Sequence, residues 1–177
     1  MVLLRPATQN DALSISHVHV SSWQTTYRGI VPRTFLNELN AEQRLPRWQQ
    51  VIESGSHLLV AETANQIVGF INGGPIREPL EGYDAELYAI YLLQEVHGKG
   101  IGTALLLELA KRLHDAGFRR LIAWVLTAND SLRFYEKTGA VRITQKEIEI
   151  GGAMLPVAAY GWPSLESLAT LAAPSLG

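Results

Sequence analysis

The sequence contains no cysteine, which excludes disulfide scaffolds, zinc ribbons, iron–sulfur sites and cysteine nucleophiles. It also lacks an excess of positive charge, because 15 Lys and Arg stand against 17 Asp and Glu. Without a basic field to attract a phosphate backbone, no nucleic-acid partner is expected. No apolar run approaches the ~20 residues of a membrane-spanning helix, and residues 1–6 show no signal-peptide pattern. We therefore expect a soluble, cytoplasmic protein with no membrane partner.

The chain has 177 residues, of which 47% are apolar. This content is enough to build a sizeable core, and the length fits one domain. No internal repeat or Pro/Ser-rich linker divides the chain. We predict a domain over residues 1–163 and a C-terminal tail over 164–177, which is either a docked helix or a loose segment.

Hydrophobic periodicity and turn residues predict an α+β protein with a mixed sheet. The predicted strands are 2–5, 57–62, 66–72, 85–93, 121–126, 141–150 and 154–160. The predicted helices are 8–22, 40–55, 101–113 and 129–137. Gly73-Gly74-Pro75 is expected to close the third strand, and residues 23–32 are expected to form a loop that carries two large aromatic side chains.

A glycine-rich segment, His97-Gly-Lys-Gly-Ile-Gly-Thr103, lies between a predicted buried strand and a strongly periodic helix. Glycines at alternate positions allow a tight turn that exposes backbone N–H groups, and the helix N-terminus adds partial positive charge. Such a corner is suited to phosphate, although an ordinary glycine-rich turn would look the same. Thr103 breaks the dinucleotide fingerprint G-x-G-x-x-G, and Gly100 after Lys99 breaks the Walker pattern.

Three segments in order resemble the GNAT superfamily of acetyl-CoA-dependent N-acetyltransferases. Residues 86–93, Glu-Leu-Tyr-Ala-Ile-Tyr-Leu-Leu, are similar to the splayed central strand of the family. Residues 97–103 resemble its pyrophosphate loop, Q/R-x-x-G-x-G/A, with His97 where the family usually has Gln or Arg. Residues 129–139 resemble its helix that runs from an asparagine to a tyrosine. Residues 8–56 and the tail match only loosely.

The resemblance implies a single-domain GNAT-like fold, in which a mostly antiparallel mixed sheet with a splayed central strand is flanked by helices. It further implies acetyl-CoA as cosubstrate, no metal, and direct attack by a primary amine of a small molecule in a ternary complex. Acetylation of a protein N-terminus or lysine, and a non-catalytic acyl-CoA sensor, are the alternatives. The family commonly forms dimers, so a homodimer is expected, in which the apolar run 165–171 could take part.

The same resemblance assigns the cofactor site. Backbone N–H groups around Leu92 and Leu93 would form an oxyanion hole, and Asn129 would bind the pantetheine arm unless it caps a helix instead. Lys99 is mostly a solvated side chain that could touch a phosphate. The expected cofactor-binding residues are Tyr91, Leu92, Leu93, His97, Gly98, Lys99, Gly100, Ile101, Gly102, Thr103, Asn129, Ser131 and Tyr135.

Two residues are candidates for proton transfer, which amine acetylation requires because most aliphatic amines are protonated near pH 7. Tyr135 matches the family tyrosine that protonates the leaving thiolate; the alternative is a tyrosine that only packs in the core. Glu86 opens the most apolar strand, so it is the candidate base through a water molecule. A solvated strand end or a structural ion pair is the alternative for Glu86.

Trp23 and Tyr27 are expected to form one wall of the acceptor pocket, where Glu86 would also contact the acceptor. Aromatic walls suit an apolar or cationic ligand, but these rings could equally anchor the loop to the core. His17 and His19 are two apart and would face different sides of a helix. The remaining histidines are scattered, so no metal site is predicted.

Overall fold

The computed structural model describes residues 1–176, which form one seven-stranded sheet with helices on both faces. The elements follow along the chain as β1 (Val2–Pro6), α1 (Ala12–Thr26), α2 (Arg33–Glu38), α3 (Ala41–Glu53), β2 (His57–Thr63), β3 (Gln66–Leu80), β4 (Tyr83–Leu92), α4 (Ile101–Asp115), β5 (Leu121–Leu126), α5 (Leu132–Lys137), β6 (Val141–Ile150), β7 (Ala153–Trp162) and α6 (Leu165–Ala169).

The strand order in the sheet is β1-β2-β3-β4-β5-β7-β6. Only β4 and β5 pair in parallel, and every other neighbouring pair is antiparallel. A parallel pair requires a crossover connection, which α4 supplies between these two strands. The predicted α+β class with a mostly antiparallel mixed sheet is confirmed.

The alternation of side chains along the strands divides the core between the two faces of the sheet. On β2, Leu59 packs on the α4 side, whereas Leu58 and Val60 pack on the side of α1 and α3. Leu109 of α4 and Trp48 of α3 are buried in these two separate clusters. The two core clusters therefore lie on opposite sides of β2, β3 and β4.

A β-bulge in β4 exchanges the faces of the sheet midway along the strand. Asn72 of β3 pairs with Ala89, but Gly73 pairs with Leu87, so Tyr88 is an extra residue on β4. Before the bulge Leu87 packs on the α4 side, and after it Ile90 does so. The exchange places Ala89 and Tyr91 on the side of α1 and α3.

Two of the predicted boundaries were wrong. The strand expected to end at residues 73–75 continues to Leu80, because the two glycines let β3 pass close to β4 rather than stopping it. A Cβ on Gly73 would lie 2.9 Å from the Glu86 carbonyl oxygen. Helix α1 continues to Thr26, so Trp23 lies on a helix and not on a loop.

Two shorter helices also differ from the prediction. Helix α2, which has only six residues, was not predicted. Helix α5 begins at Leu132 rather than near Asn129. Helix α3 begins where expected, because the Asn40 side chain accepts hydrogen bonds from the N–H groups of Glu42 and Gln43.

The first part of the tail is a docked helix. Leu165 and Leu168 of α6 are buried in the core cluster of α4, while Leu171 is half exposed. Much of the apolar run over residues 165–171 is thus used within the chain. The homodimer and the division at residue 163 stay predictions. Across residues 1–176, no helix has both the length and the hydropathy of a bilayer-spanning segment.

We expect Leu165→Ala to lower the free energy of unfolding by about 2–5 kcal/mol, because it removes fully buried methyl groups. Leu171→Ala is the matched control, since that side chain is 50% exposed, and it should change stability by less than about 0.5 kcal/mol. Urea unfolding followed by circular dichroism measures both values. Equal effects of the two substitutions would contradict the docking of α6.

Candidate active site

The candidate active site begins where β4 and β5 separate. The two strands pair only over residues 85–87 and 121–123, although both continue beyond. The loop to α4 and the segment that leads to α5 lie at the same end of these strands. Together they enclose a cavity of about 500 Å³. A cavity at the carboxyl ends of parallel strands is a common ligand site in sheets of this kind.

The backbone of β4 presents free N–H groups to this opening. The Leu93 N–H donates to the Val68 carbonyl at 2.8 Å. Because N–H directions alternate along an antiparallel strand, those of Ile90 and Leu92 point away from β3, into the opening. The expectation for Leu93 was therefore wrong, since its N–H is used inside the sheet. The Leu92 N–H remains a candidate for the oxyanion hole.

The glycine-rich loop has the conformation that an anion site requires. Gly98 and Gly100 have φ angles of +73° and +80°, which glycine adopts without strain. Gly100 directly precedes α4, a helix of 15 residues whose N-terminus adds partial positive charge to the loop. The His97 ring bonds to the Leu92 carbonyl at 3.0 Å, which ties the loop to β4. On its other side, Gly100 lies against Pro174 of the tail.

Most of the predicted cofactor residues line this cavity. Those that do so are Tyr91, Leu92, His97, Gly98, Gly100, Ile101, Gly102, Thr103, Asn129, Ser131 and Tyr135. Leu93 and Lys99 do not line it. Tyr27, which was predicted as part of the acceptor wall, lies in this cavity instead, close to Tyr91.

Asn129 makes the local turn that leads into α5. Its side-chain oxygen Oδ1 accepts a hydrogen bond from the Ser131 N–H at 2.9 Å. Asn129 is 7% exposed and lines the cavity. The oxygen thus closes a turn before α5, whose N-cap is Ser131, so Asn129 is not the helix cap that was the alternative at this position. No partner of the amide nitrogen is present within residues 1–176.

Tyr135 lines the cavity together with two other tyrosines, Tyr27 and Tyr91. The hydroxyls of Tyr27 and Tyr91 are 3.3 Å apart. Burial raises the pKa of Tyr135, and the nearby Tyr27 adds to the effect. Burial likewise raises the pKa of Tyr27 and of Tyr91. All three hydroxyls therefore stay protonated at neutral pH, and Tyr135 can donate a proton but does not exist there as a phenolate.

Glu86 is buried, 2% exposed, and is paired with an arginine. The Arg77 backbone N–H donates to Glu86 Oε2 at 3.0 Å, and the Arg77 guanidinium donates to Oε1. The Glu86 side chain lines neither the 500 Å³ cavity nor the second cavity described next. The ion pair that was the alternative for Glu86 is thus present, and a role in catalysis stays a prediction.

A second cavity, of about 290 Å³, lies on the side of α1 and α3. We call it the acceptor-side cavity. It is separated from the first by the bulged part of β4, because Tyr88, Ala89 and Tyr91 line both. The other residues that line it are His19, Trp23, Phe35, Arg44, Arg47, Trp48, Glu149, Ile150 and Gly151. Trp23 lines this cavity, and its predicted role in the acceptor wall stays a prediction.

Several residues of these cavities were not found from the sequence. Arg44 and Arg47 are three residues apart and so share one face of α3, but nothing in the sequence indicated that this face borders a cavity. His19 was considered only as a metal ligand. Within residues 1–176, no group of three or more potential metal ligands is close enough to hold an ion.

Comparison with known proteins agrees with this geometry. Residues 20–140 match the sequence profile of the Acetyltransferase (GNAT) family. The uncharacterized N-acetyltransferase YuaI of Bacillus subtilis (strain 168) is 40% identical over 171 residues, which cover 97% of this chain and 98% of that protein.

Solved structures share the fold. Ribosomal-protein-alanine N-acetyltransferase from Brucella melitensis superposes with a TM-score of 0.72 and 25% identity, covering 90% of this chain and 98% of the other. The acetyltransferase yncA from Salmonella typhimurium, solved with acetyl-CoA, gives a TM-score of 0.73 with 20% identity over 100% and 99% of the two chains. The chain belongs to the GNAT family of acetyltransferases.

Proposed function

We propose that this enzyme transfers the acetyl group of acetyl-CoA to the primary amine of a small molecule, by direct attack in a ternary complex. One observation carries the proposal: two cavities lie on opposite sides of the same short stretch of β4 and share Tyr88, Ala89 and Tyr91. A thioester in one cavity and an amine in the other could thus meet without either substrate leaving. A covalent enzyme intermediate is not required.

The larger cavity fits acetyl-CoA. The left-handed glycines and the N-terminus of α4 offer N–H groups for the pyrophosphate. The Ile90 N–H would bind the pantetheine arm beside the strand, together with the amide nitrogen of Asn129. YncA, which shares the fold, was solved with acetyl-CoA. When bound, this cosubstrate supplies the activated acetyl group as a thioester.

Two residues of the chain would then act on the thioester, Leu92 on its carbonyl oxygen and Tyr135 on its sulfur. The Leu92 N–H would donate to the carbonyl oxygen, which becomes negative as the neutral amine attacks. The C–S bond breaks with its electron pair on sulfur, and Tyr135 would protonate that sulfur. The raised pKa of Tyr135 keeps the proton on its hydroxyl until it is needed. The proton lost by the amine would restore Tyr135 after it has passed to a base.

Glu86 remains our proposed base, acting through water. Its carboxylate lies on the strand shared by both cavities, but Arg77 occupies both oxygens. The competing role is structural: through Arg77, Glu86 holds the far part of β3 against β4. These two roles predict different effects of replacing the arginine, so they can be separated by experiment.

A protein acceptor is the second candidate, since one relative is named for acetylating alanine of a ribosomal protein. The size of the acceptor-side cavity, about 290 Å³, supports a small molecule. Thiol release from acetyl-CoA across a panel of small amines and peptides tests both. Binding of acetyl-CoA with no release on any acceptor would favour a non-catalytic sensor.

We expect Gly102→Val to abolish acetyl-CoA binding, because its side chain would enter the cavity next to the glycine loop. A Cβ at this position has ordinary contacts at 3.5 Å with Leu92 and Phe134, and Val is no worse than Gly in a helix. The folded state should thus persist, which urea unfolding checks. Calorimetry that finds unchanged affinity in the folded variant would contradict the loop assignment. His97→Ala should cost less affinity.

We expect Tyr135→Phe to lower kcat by roughly ten- to ten-thousand-fold, with little change in acetyl-CoA affinity, since only the proton donor is lost. Steady-state kinetics with the true acceptor measures this. Because the pKa of Tyr135 is raised, its ionisation should cause no loss of wild-type rate below about pH 10. A kcat within about twofold of wild type would mean that Tyr135 only packs in the core.

Glu86→Gln should remove the acidic limb of the pH–rate profile if Glu86 is the base. Arg77→Gln is the matched variant, because it breaks the same ion pair but retains the carboxylate, and it should keep that limb. If the two substitutions instead lower kcat/KM equally and both retain the limb, Glu86 serves only to anchor β3.

A further inference from the structure

We propose that the acceptor amine carries an anionic group, such as a carboxylate or phosphonate, which Arg44 and Arg47 bind in the acceptor-side cavity. This inference rests on the proposed function and narrows it to one class of acceptor. It starts from two guanidinium groups that face a cavity and are not neutralised by the protein itself.

Arg44 and Arg47 lie on the face of α3 that borders the acceptor-side cavity. Within the part of the chain that the structure describes, neither has a carboxylate within 4.0 Å. Arg5, Arg77 and Arg112, by contrast, are each paired with an acidic side chain. A ligand carboxylate or phosphonate would give the two α3 guanidiniums the charge-assisted hydrogen bonds that they lack.

The cavity is positively charged on balance. Glu149 of β6 is the one acidic side chain among its described lining residues, and it is exposed. Burial, with Arg44 and Arg47 adding to it, lowers the pKa of His19 to about 3, so this imidazole is neutral. Burial and the neighbouring Arg47 also lower the pKa of Arg44. Burial is the larger cause of both shifts, and the neighbouring positive charge, which a bound anion would offset, is the smaller one.

Three buried polar atoms of residues that line this cavity, His19 Nδ1, Trp23 Nε1 and Trp48 Nε1, have no hydrogen bond within residues 1–176. Two of these residues, His19 and Trp48, are more than 90% buried. Their rings pack edge to face, with centroids 5.5 Å apart. Unsatisfied buried polar atoms are uncommon, and here they lie on α1 and on α3, the helix that carries Arg44 and Arg47.

The phosphates of acetyl-CoA are not the anion that these arginines bind. The glycine loop leads into α4, which packs on one face of the sheet, while α3 packs on the other. Tyr88, Ala89 and Tyr91 separate the two cavities. An acceptor held at its anionic end by α3 would direct its amine toward this stretch of β4, where the thioester is expected.

The test compares amines in matched pairs of nearly equal size that differ in charge: amino acids beside their carboxamides, and aminoalkylphosphonates beside the corresponding aminoalkylsulfonamides. Rates are corrected to the concentration of free amine. We expect kcat/KM to be about ten- to a hundredfold higher for the anionic member of the preferred pair. Arg44→Gln and Arg47→Gln should each lower that value by about tenfold, chiefly through KM, and should leave the uncharged member within twofold.

Arg33→Gln is the control variant, because it removes the same charge from α2, away from this cavity. It should leave both members of every pair unchanged. The inference is overturned if the uncharged and the anionic member of each pair have equal kcat/KM. It is also overturned if Arg44→Gln and Arg47→Gln lower kcat/KM equally for both members, or if Arg33→Gln lowers kcat/KM for the anionic member as much as they do. In each of these cases the proposed acetyltransferase stands. If no amine or peptide of either class is acetylated, the proposed function fails, and this inference fails with it.

Discussion

The early separation of β4 from β5 is the constraint on which both cavities depend. The strands pair over only three residues of each, so the backbone of β4 beyond Leu87 keeps N–H groups that no strand satisfies. In a closed sheet these groups would be used in the ladder. Here they are available to a substrate, and α4 begins beside them with its own unpaired N–H groups. The polar backbone that builds this site is thus a consequence of incomplete pairing.

The bulge at Tyr88 changes which residues of β4 point to each side of the sheet. One extra residue moves Ala89 and Tyr91 to the side of α1 and α3 and moves Ile90 to the α4 side. A thin strand, rather than a packed layer, then lies between the two cavities. Gly73 makes the bulge possible, because a side chain there would collide with the backbone of β4.

The charges around this strand differ in how they are balanced. Glu86, although buried, is matched by Arg77, whereas Arg44 and Arg47 border a cavity without partners. An ion pair that is complete within the protein has little left to offer a substrate, while an unmatched pair of guanidiniums does. For this reason the catalytic role of Glu86 stays a prediction, whereas Arg44 and Arg47 support the proposal that the acceptor is anionic.

The sequence by itself determined the fold class, most strands and the glycine-rich turn before α4, because these depend on local periodicity and on residues with special backbone properties. Tyr135 was singled out by the family resemblance, and its catalytic role stays a prediction. It did not determine that β3 passes Gly73 and Gly74, that Leu93 is used inside the sheet, or that Glu86 pairs with Arg77. Each of these depends on a neighbour distant in sequence or on the register of a ladder. Tertiary structure alone decided which helix faces line a cavity, and therefore brought Arg44 and Arg47 beside His19.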